Sequence, residues 1–99
     1  MAGNITISFA ASAVSDMESI LAYYDSEGVP ATGKGVLAAL LSEIERLVDY
    51  PKSGRVVPEF TSEHMREIIH PPFRIVYRYD TKRVRIIRIW RSERIMKLP

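Results

Sequence analysis

The sequence predicts a single α+β domain of order β-α-α-β-β-β, with an N-terminal helical hairpin packed on a mainly antiparallel sheet. Three observations predict it. Apolar and polar residues alternate over residues 5–9 and again in three stretches after residue 63. Between these lie two stretches whose apolar residues recur at helical spacing. Finally, Gly28 with Pro30, Pro51, and Pro71-Pro72 fall between the stretches, where chain reversals are needed.

Taking the elements in order, Ile5, Ile7 and Phe9 alternate with Thr6 and Ser8, which makes a short first strand. Val14, Met17, Ile20, Leu21 and Tyr24 then share one helical face. Ser15 and Glu18 have capping-box spacing, and Ser12 is equally placed to cap an earlier start. After Gly28 and Pro30, a second helix carries Val36, Leu37, Leu40, Leu41, Ile44, Leu47 and Val48 in one apolar stripe. Ser42, Glu43, Glu45, Arg46 and Asp49 lie largely opposite, and Pro51 ends the helix. The short break between the helices makes them an antiparallel hairpin over about residues 12–50. Gly54 and Pro58 mark a turn-like stretch, and a meander of three strands follows at 64–70, 73–79 and 83–90. On the middle strand Phe73, Ile75, Tyr77 and Tyr79 share one face, and Arg74, Val76 and Arg78 the other. On the last strand the alternation slips at Ile86-Ile87, which marks either a bulge or a stretch buried on both faces.

Composition bounds the answer. The 99 residues suit one domain over residues 1–99, and 46% hydrophobic residues exclude a disordered chain. A core this small leaves a marginal stability that a bound partner would raise. There is no cysteine, so the reducing cytoplasm is the expected compartment. The alternating start is no signal-peptide core, and no apolar run is long enough to span a membrane. Charge is divided unevenly. Residues 1–51 hold two bases against seven acids, whereas residues 52–99 hold twelve bases against five acids. The second half is therefore suited to an anionic partner, either nucleic acid or an acidic protein segment.

Several motifs fail on inspection. Residues 28–35 have the glycine and lysine spacing of a phosphate-binding loop, but Gly35 stands where Ser or Thr would hold magnesium. Pro30 also removes a donor, and the segment follows a helix instead of a buried strand. His64 and His70 fall on one face of a strand, yet neither cysteine nor a third ligand lies nearby to hold zinc. Either histidine could act as a base beside Glu63 or Glu67, while exposed sheet histidines are the plainer reading. Phe73 and Tyr77 belong under the helices more readily than in a stacking platform. What remains are the arginines: Arg66, Arg74, Arg78, Arg85, Arg88, Arg91 and Arg94 spread over the meander and tail. Arg66 and Arg74, on neighbouring strands, are expected to converge as a clamp for phosphate or carboxylate.

Four runs carry a resemblance: Gly54-Arg55-Val56-Val57-Pro58-Glu59, Met65-Arg66-Glu67-Ile68-Ile69, Phe73-Arg74-Ile75-Val76-Tyr77, and Val84-Arg85-Ile86-Ile87-Arg88-Ile89-Trp90. Together they resemble the RelE/ParE toxin superfamily of bacterial type II toxin–antitoxin systems. The likeness extends back over the two helices and so covers nearly the whole chain. It implies a toxin without metal or cofactor, neutralised in a hetero-oligomer by a cognate antitoxin, ParD-like or RelB-like. RelE-like members cut messenger RNA on the ribosome with basic residues and, commonly, a C-terminal Tyr or His. ParE-like members inhibit DNA gyrase. Here Arg91 stands at the usual histidine position, Arg94 matches the family arginine, and no Tyr or His follows Tyr79. Arginine does not release its proton at neutral pH, so the ParE branch is favoured. On that reading Arg66, Arg74, Trp90, Arg91 and Arg94 meet the target, and Val36, Leu37, Leu40, Leu41 and Ile44 meet the antitoxin. The alternative is a ribosome-dependent ribonuclease in which Arg66 and Arg74 hold phosphate and His64 or Glu67 stands in as base. A third reading is a non-toxic module that only binds an antitoxin.

Overall fold

The computed structural model describes residues 5–60 and 62–91. The order is β1 (Thr6–Phe9), α1 (Ala11–Ser26), α2 (Pro30–Glu45), a 3₁₀ turn (Arg46–Val48), β2 (Arg55–Val56), β3 (Met65–His70), β4 (Phe73–Asp80) and β5 (Arg83–Arg91). The expected helical hairpin and meander are both present. The sheet has five strands in the order β1-β5-β4-β3-β2, with β1 parallel to β5 and every other pair antiparallel. The added strand, β2, is only two residues long and pairs with Glu67 and Arg66, too short to leave a periodic signal.

Boundaries differ from the sequence reading for local reasons. Neither Ser12 nor Ser15 caps α1; Ala10 holds the N-cap position without a side-chain bond. Ser12 Oγ instead donates to the Ile87 carbonyl at 2.6 Å, and Ala10 N–H donates to Ile86 O at 2.8 Å. The start of α1 thus takes over the edge of β5 where β1 stops. The second helix begins at Pro30, a residue suited to the first turn because its missing N–H would be unpaired there. Gly33 and Gly35 are therefore helical, and the phosphate-loop spacing has no loop behind it. Gly33 has a packing role, since a Cβ there would lie 2.8 Å from Tyr24 Cβ on the facing helix.

The core lies between the helices and one sheet face. It contains Ala13, Ile20, Leu40, Ile44, Leu47, Phe73, Ile75, Tyr77, Val84, Ile86 and Ile89. Phe73 and Tyr77 sit under the helices as their alternation implied. The slip at Ile86-Ile87 resolves as a bulge: Val76 pairs with Arg88 but Tyr77 with Ile86, leaving Ile87 extra. That single insertion re-phases β5, so Val84, Ile86 and Ile89 all face the core. Among the described residues no helix is long and apolar enough to cross a membrane.

Candidate target-binding face

Register decides which arginines share a face. Arg66 pairs with Tyr77, whereas Arg74 pairs with Ile69 and Trp90. Side chains alternate along a strand, so Arg66 lies on the helix-covered side and Arg74 on the opposite one. The expected clamp of Arg66 and Arg74 therefore does not form. Two residues on adjacent strands converge only if their register positions have matching parity, and this pairing does not give them that.

Arg74 is structural in its surroundings. It is 4% exposed, and its Nε donates to Glu67 Oε1 while Nη1 and Nη2 reach Glu59 at 3.2 and 2.7 Å. Glu67, 1% exposed, takes Arg55 Nε on its other oxygen. Burial works against the Arg74 charge, but the bonds and fields of Glu59 and Glu67 outweigh it and raise its pKa. The Arg74 hydrogen bond holds the Glu59 carboxyl below the usual carboxylate value. This four-residue chain, Arg55–Glu67–Arg74–Glu59, ties the 57–60 segment to the sheet.

Arg66 serves the 51–56 segment. Its Nη1 donates to Gly54 O at 3.0 Å and Lys52 O at 3.5 Å. Its buried Nε has no hydrogen-bond partner among the described residues. Beside it, Tyr77 Oη donates to Pro51 O at 2.7 Å and accepts from Gly54 N–H at 3.0 Å. Burial pushes the Tyr77 phenol up, opposed by the Gly54 N–H and the Arg66 charge. Gly54 is required here, because a Cβ would lie 2.6 Å from Glu67 O and 2.7 Å from Tyr77 Oη.

The other site residues are scattered. His64 precedes β3, and its Nδ1 donates to Tyr79 O at 3.0 Å. His70, at the far end of the strand, donates to Glu43 Oε2 at 3.1 Å. The two histidines are thus held apart, each by its own partner. Glu67 offers no exposed oxygen as a base. Arg88 bonds Asp16 at 2.8 and 3.0 Å and lies 4.8 Å from the Trp90 ring centroid. The Asp16 hydrogen bond raises the Arg88 pKa, against a smaller effect of burial. Arg91 lies 5.6 Å from the Phe73 ring. Arg88, Trp90, Arg91, Tyr23 and Phe73 line an open groove of about 520 Å³ between α1 and the end of β5. Arg94 lies outside the described residues. Among the described residues no three His, Asp or Glu side chains gather closely enough to hold a metal.

The residues assigned to an antitoxin need correction. Leu40 and Ile44 belong to the domain's own core and are not available to a partner while it is folded. Val36 and Leu37 are half-buried, and only Leu41 of the five, 36% exposed, faces outward. A stripe that reads as one apolar face on paper is thus used in part by the domain's own core. The outward apolar residues of the hairpin are Val14, Tyr23, Val29 and Leu41.

The helical hairpin on a five-stranded mixed sheet is a fold found in other solved structures. It is similar to a structure described as the chromosomal ParDE system of P. aeruginosa, with TM-score 0.75 and 19% identity over 90% of this chain and 97% of that one. It also resembles the E. coli DinJ–YafQ toxin–antitoxin complex, with TM-score 0.64 and 10% identity over 93% of this chain and 97% of that one. No curated protein matches the sequence significantly. A family model described as "ParE toxin of type II toxin-antitoxin system, parDE" matches residues 7–96. The chain belongs to the ParE toxin family.

Proposed function

We propose that this chain is a toxin that inhibits DNA gyrase and is neutralised by a cognate antitoxin. The observation that carries the reading is the family match over residues 7–96, since gyrase inhibition is the action implied by the ParE resemblance. The geometry supports it against RNA cleavage. Holding a scissile phosphate between Arg66 and Arg74 would need both on one face, and they lie on opposite faces. Glu67 is sealed between two guanidiniums, and His64 is bonded to the chain at Tyr79.

An antitoxin partner is supported by the two similar structures, which are described as a ParDE system and a toxin–antitoxin complex. The outward Val14, Tyr23, Val29 and Leu41 give an amphipathic segment apolar anchors on the hairpin. The test is a supercoiling assay with purified protein, run beside a cleavage assay on ribosomes loaded with message. Inhibited supercoiling, relieved by the antitoxin, is expected. Message cleavage with supercoiling intact would make the protein a ribonuclease of the RelE kind. Antitoxin binding without either activity would make it a non-toxic binding module.

A further inference from the structure

The turn that joins β4 to β5 sets the register of a charged strip on the side of the sheet away from the helices. Arg83 and Arg85 lie on that face, and register places Arg78 directly opposite Arg85 and Asp80 opposite Arg83. Parallel pairing adds Ser8 beside Arg85 and Thr6 beside Arg83. The result is two rows across three strands: Ser8–Arg85–Arg78 and Thr6–Arg83–Asp80. All six residues are exposed.

This strip is hard to explain as fold maintenance. Like charges directly opposite each other on a sheet destabilise it, yet Arg78 faces Arg85. Charged residues often guard sheet edges against other strands, but β4 and β5 are interior strands with a neighbour on each side. Counter-charge is thin. Arg78 reaches Asp80 only at 3.7 Å with both side chains about half exposed, and Arg85 meets the Ser8 hydroxyl at 3.4 Å. Such an exposed pair contributes little once screened by salt.

We propose that this strip binds the phosphodiester backbone of a nucleic acid, with Arg78, Arg83 and Arg85 on phosphates and Ser8 and Thr6 as hydroxyl donors. Three features favour phosphates over an acidic protein segment. Its six residues are polar and only the half-buried Met65, paired with Arg78, adds an apolar side chain, so the strip lacks the aromatic anchors that centre a protein interface. Arginine and hydroxyl donors together are the usual makers of backbone contacts. Finally, arginines two apart on a strand repeat at about 7 Å, a period suited to successive charges along a polymer. None of these residues is among those assigned above to the target, so the strip is tested in the absence of gyrase.

The experiment measures fluorescence anisotropy of labelled random-sequence duplex DNA, labelled single-stranded RNA and labelled polyglutamate, each titrated with the full chain and no gyrase. Three arginine–phosphate contacts on duplex DNA give a log–log salt slope of about −2.7, or about 40-fold weaker binding at 200 mM than at 50 mM salt. R78Q/R85Q should bring the slope to about −0.9, since each lost contact removes about one unit. K34Q/R46Q removes the same charge from the helix layer and should leave the slope unchanged. Ser8→Glu adds an acid to the strip without removing an arginine; it should weaken binding too and keeps the test valid if R78Q/R85Q does not fold. The comparison of duplex with single strand identifies the source of the phosphates. No binding to either nucleic acid at 50 mM salt overturns the proposal. So does equal loss in K34Q/R46Q, or tighter binding to polyglutamate. Failure here leaves supercoiling inhibition untouched, and failure there leaves this measurement untouched.

Discussion

Arg74 shows how a side chain suited to a ligand can be committed to the fold instead. With two carboxylates on a guanidinium that is 4% exposed, its removal would leave Glu67 buried beside Arg55 alone. Breaking a buried pair by deleting one partner costs about 3–5 kcal/mol, so Arg74→Ala should fall in that range in urea unfolding. Lost toxicity in that variant would report the sheet, not a contact with the target. Glu59 gives a pH prediction. Its pKa is lowered in the folded state by the Arg74 hydrogen bond. Its link therefore stabilises the fold above the ordinary carboxylate value and is lost as pH falls through the lowered one. Wild type should lose more stability than Glu59→Gln between about pH 5 and about pH 3, read from melting temperatures. Equal losses in the two proteins would place the Glu59–Arg74 bond outside the stability of the fold.

At the level of elements, the β4–β5 hairpin carries one local misfit. Thr81, in the turn between the strands, has φ of +50°, a left-handed conformation that a β-branched residue rarely adopts. Asparagine tolerates that region much better. Thr81→Asn should therefore stabilise the domain by about 1 kcal/mol, or about 4–8 °C in melting temperature. No gain would mean that the turn relaxes in solution. The 51–56 segment behaves oppositely. Gly54 is wedged against the Glu67 carbonyl and the Tyr77 ring, and a backbone carbonyl cannot swing aside as a flexible side chain would. Gly54→Ala should cost about 1–3 kcal/mol by overpacking, and the loss should appear as a lower midpoint in denaturant.

For the whole molecule, the relevant quantity is how function divides from folding. Arg91 closes β5 opposite Phe73, with its guanidinium over that ring, while the matching family arginine, Arg94, lies beyond the described residues. R91A/R94A should abolish growth inhibition and leave antitoxin binding intact, because the outward hairpin residues Val14, Val29 and Leu41 lie outside the groove that Arg91 lines with Tyr23. Losing the Phe73 contact should cost less than about 1 kcal/mol, the size of an exposed cation–π contact. Growth assays and antitoxin pull-down on the same variant read the two effects separately. Full toxicity in the double variant would remove both arginines from the site. Antitoxin binding should also raise the melting temperature, since a ligand that binds only the folded state stabilises it by mass action.

The sequence by itself determined the parts of this protein that depend on neighbours along the chain. Helical spacing over residues 14–24 and 36–48 gave the hairpin, alternation gave three strands of the meander, and the Ile86-Ile87 slip marked the bulge. The resemblance carried by Gly54–Glu59 and the strands led to the family that the match over residues 7–96 bears out. Only the tertiary structure decided what those elements do to one another. The two residues of β2 carry no period, and the parallel contact of β1 with β5 joins residues 77 positions apart, as in Thr6 with Arg83. Register between strands is likewise non-local, and a one-residue difference sends a side chain to the other face. That is why Arg66 and Arg74, adjacent on paper, are separated by the sheet, whereas Ser8, Arg78 and Arg85 meet in one row. Once the bulge is placed, alternation alone puts Arg83, Arg85 and Arg88 on one face, a signal present in the sequence but readable only with the pairing known. Leu40 and Ile44 follow the same logic: an amphipathic stripe shows that a surface will be covered, and the packed sheet determines what covers it.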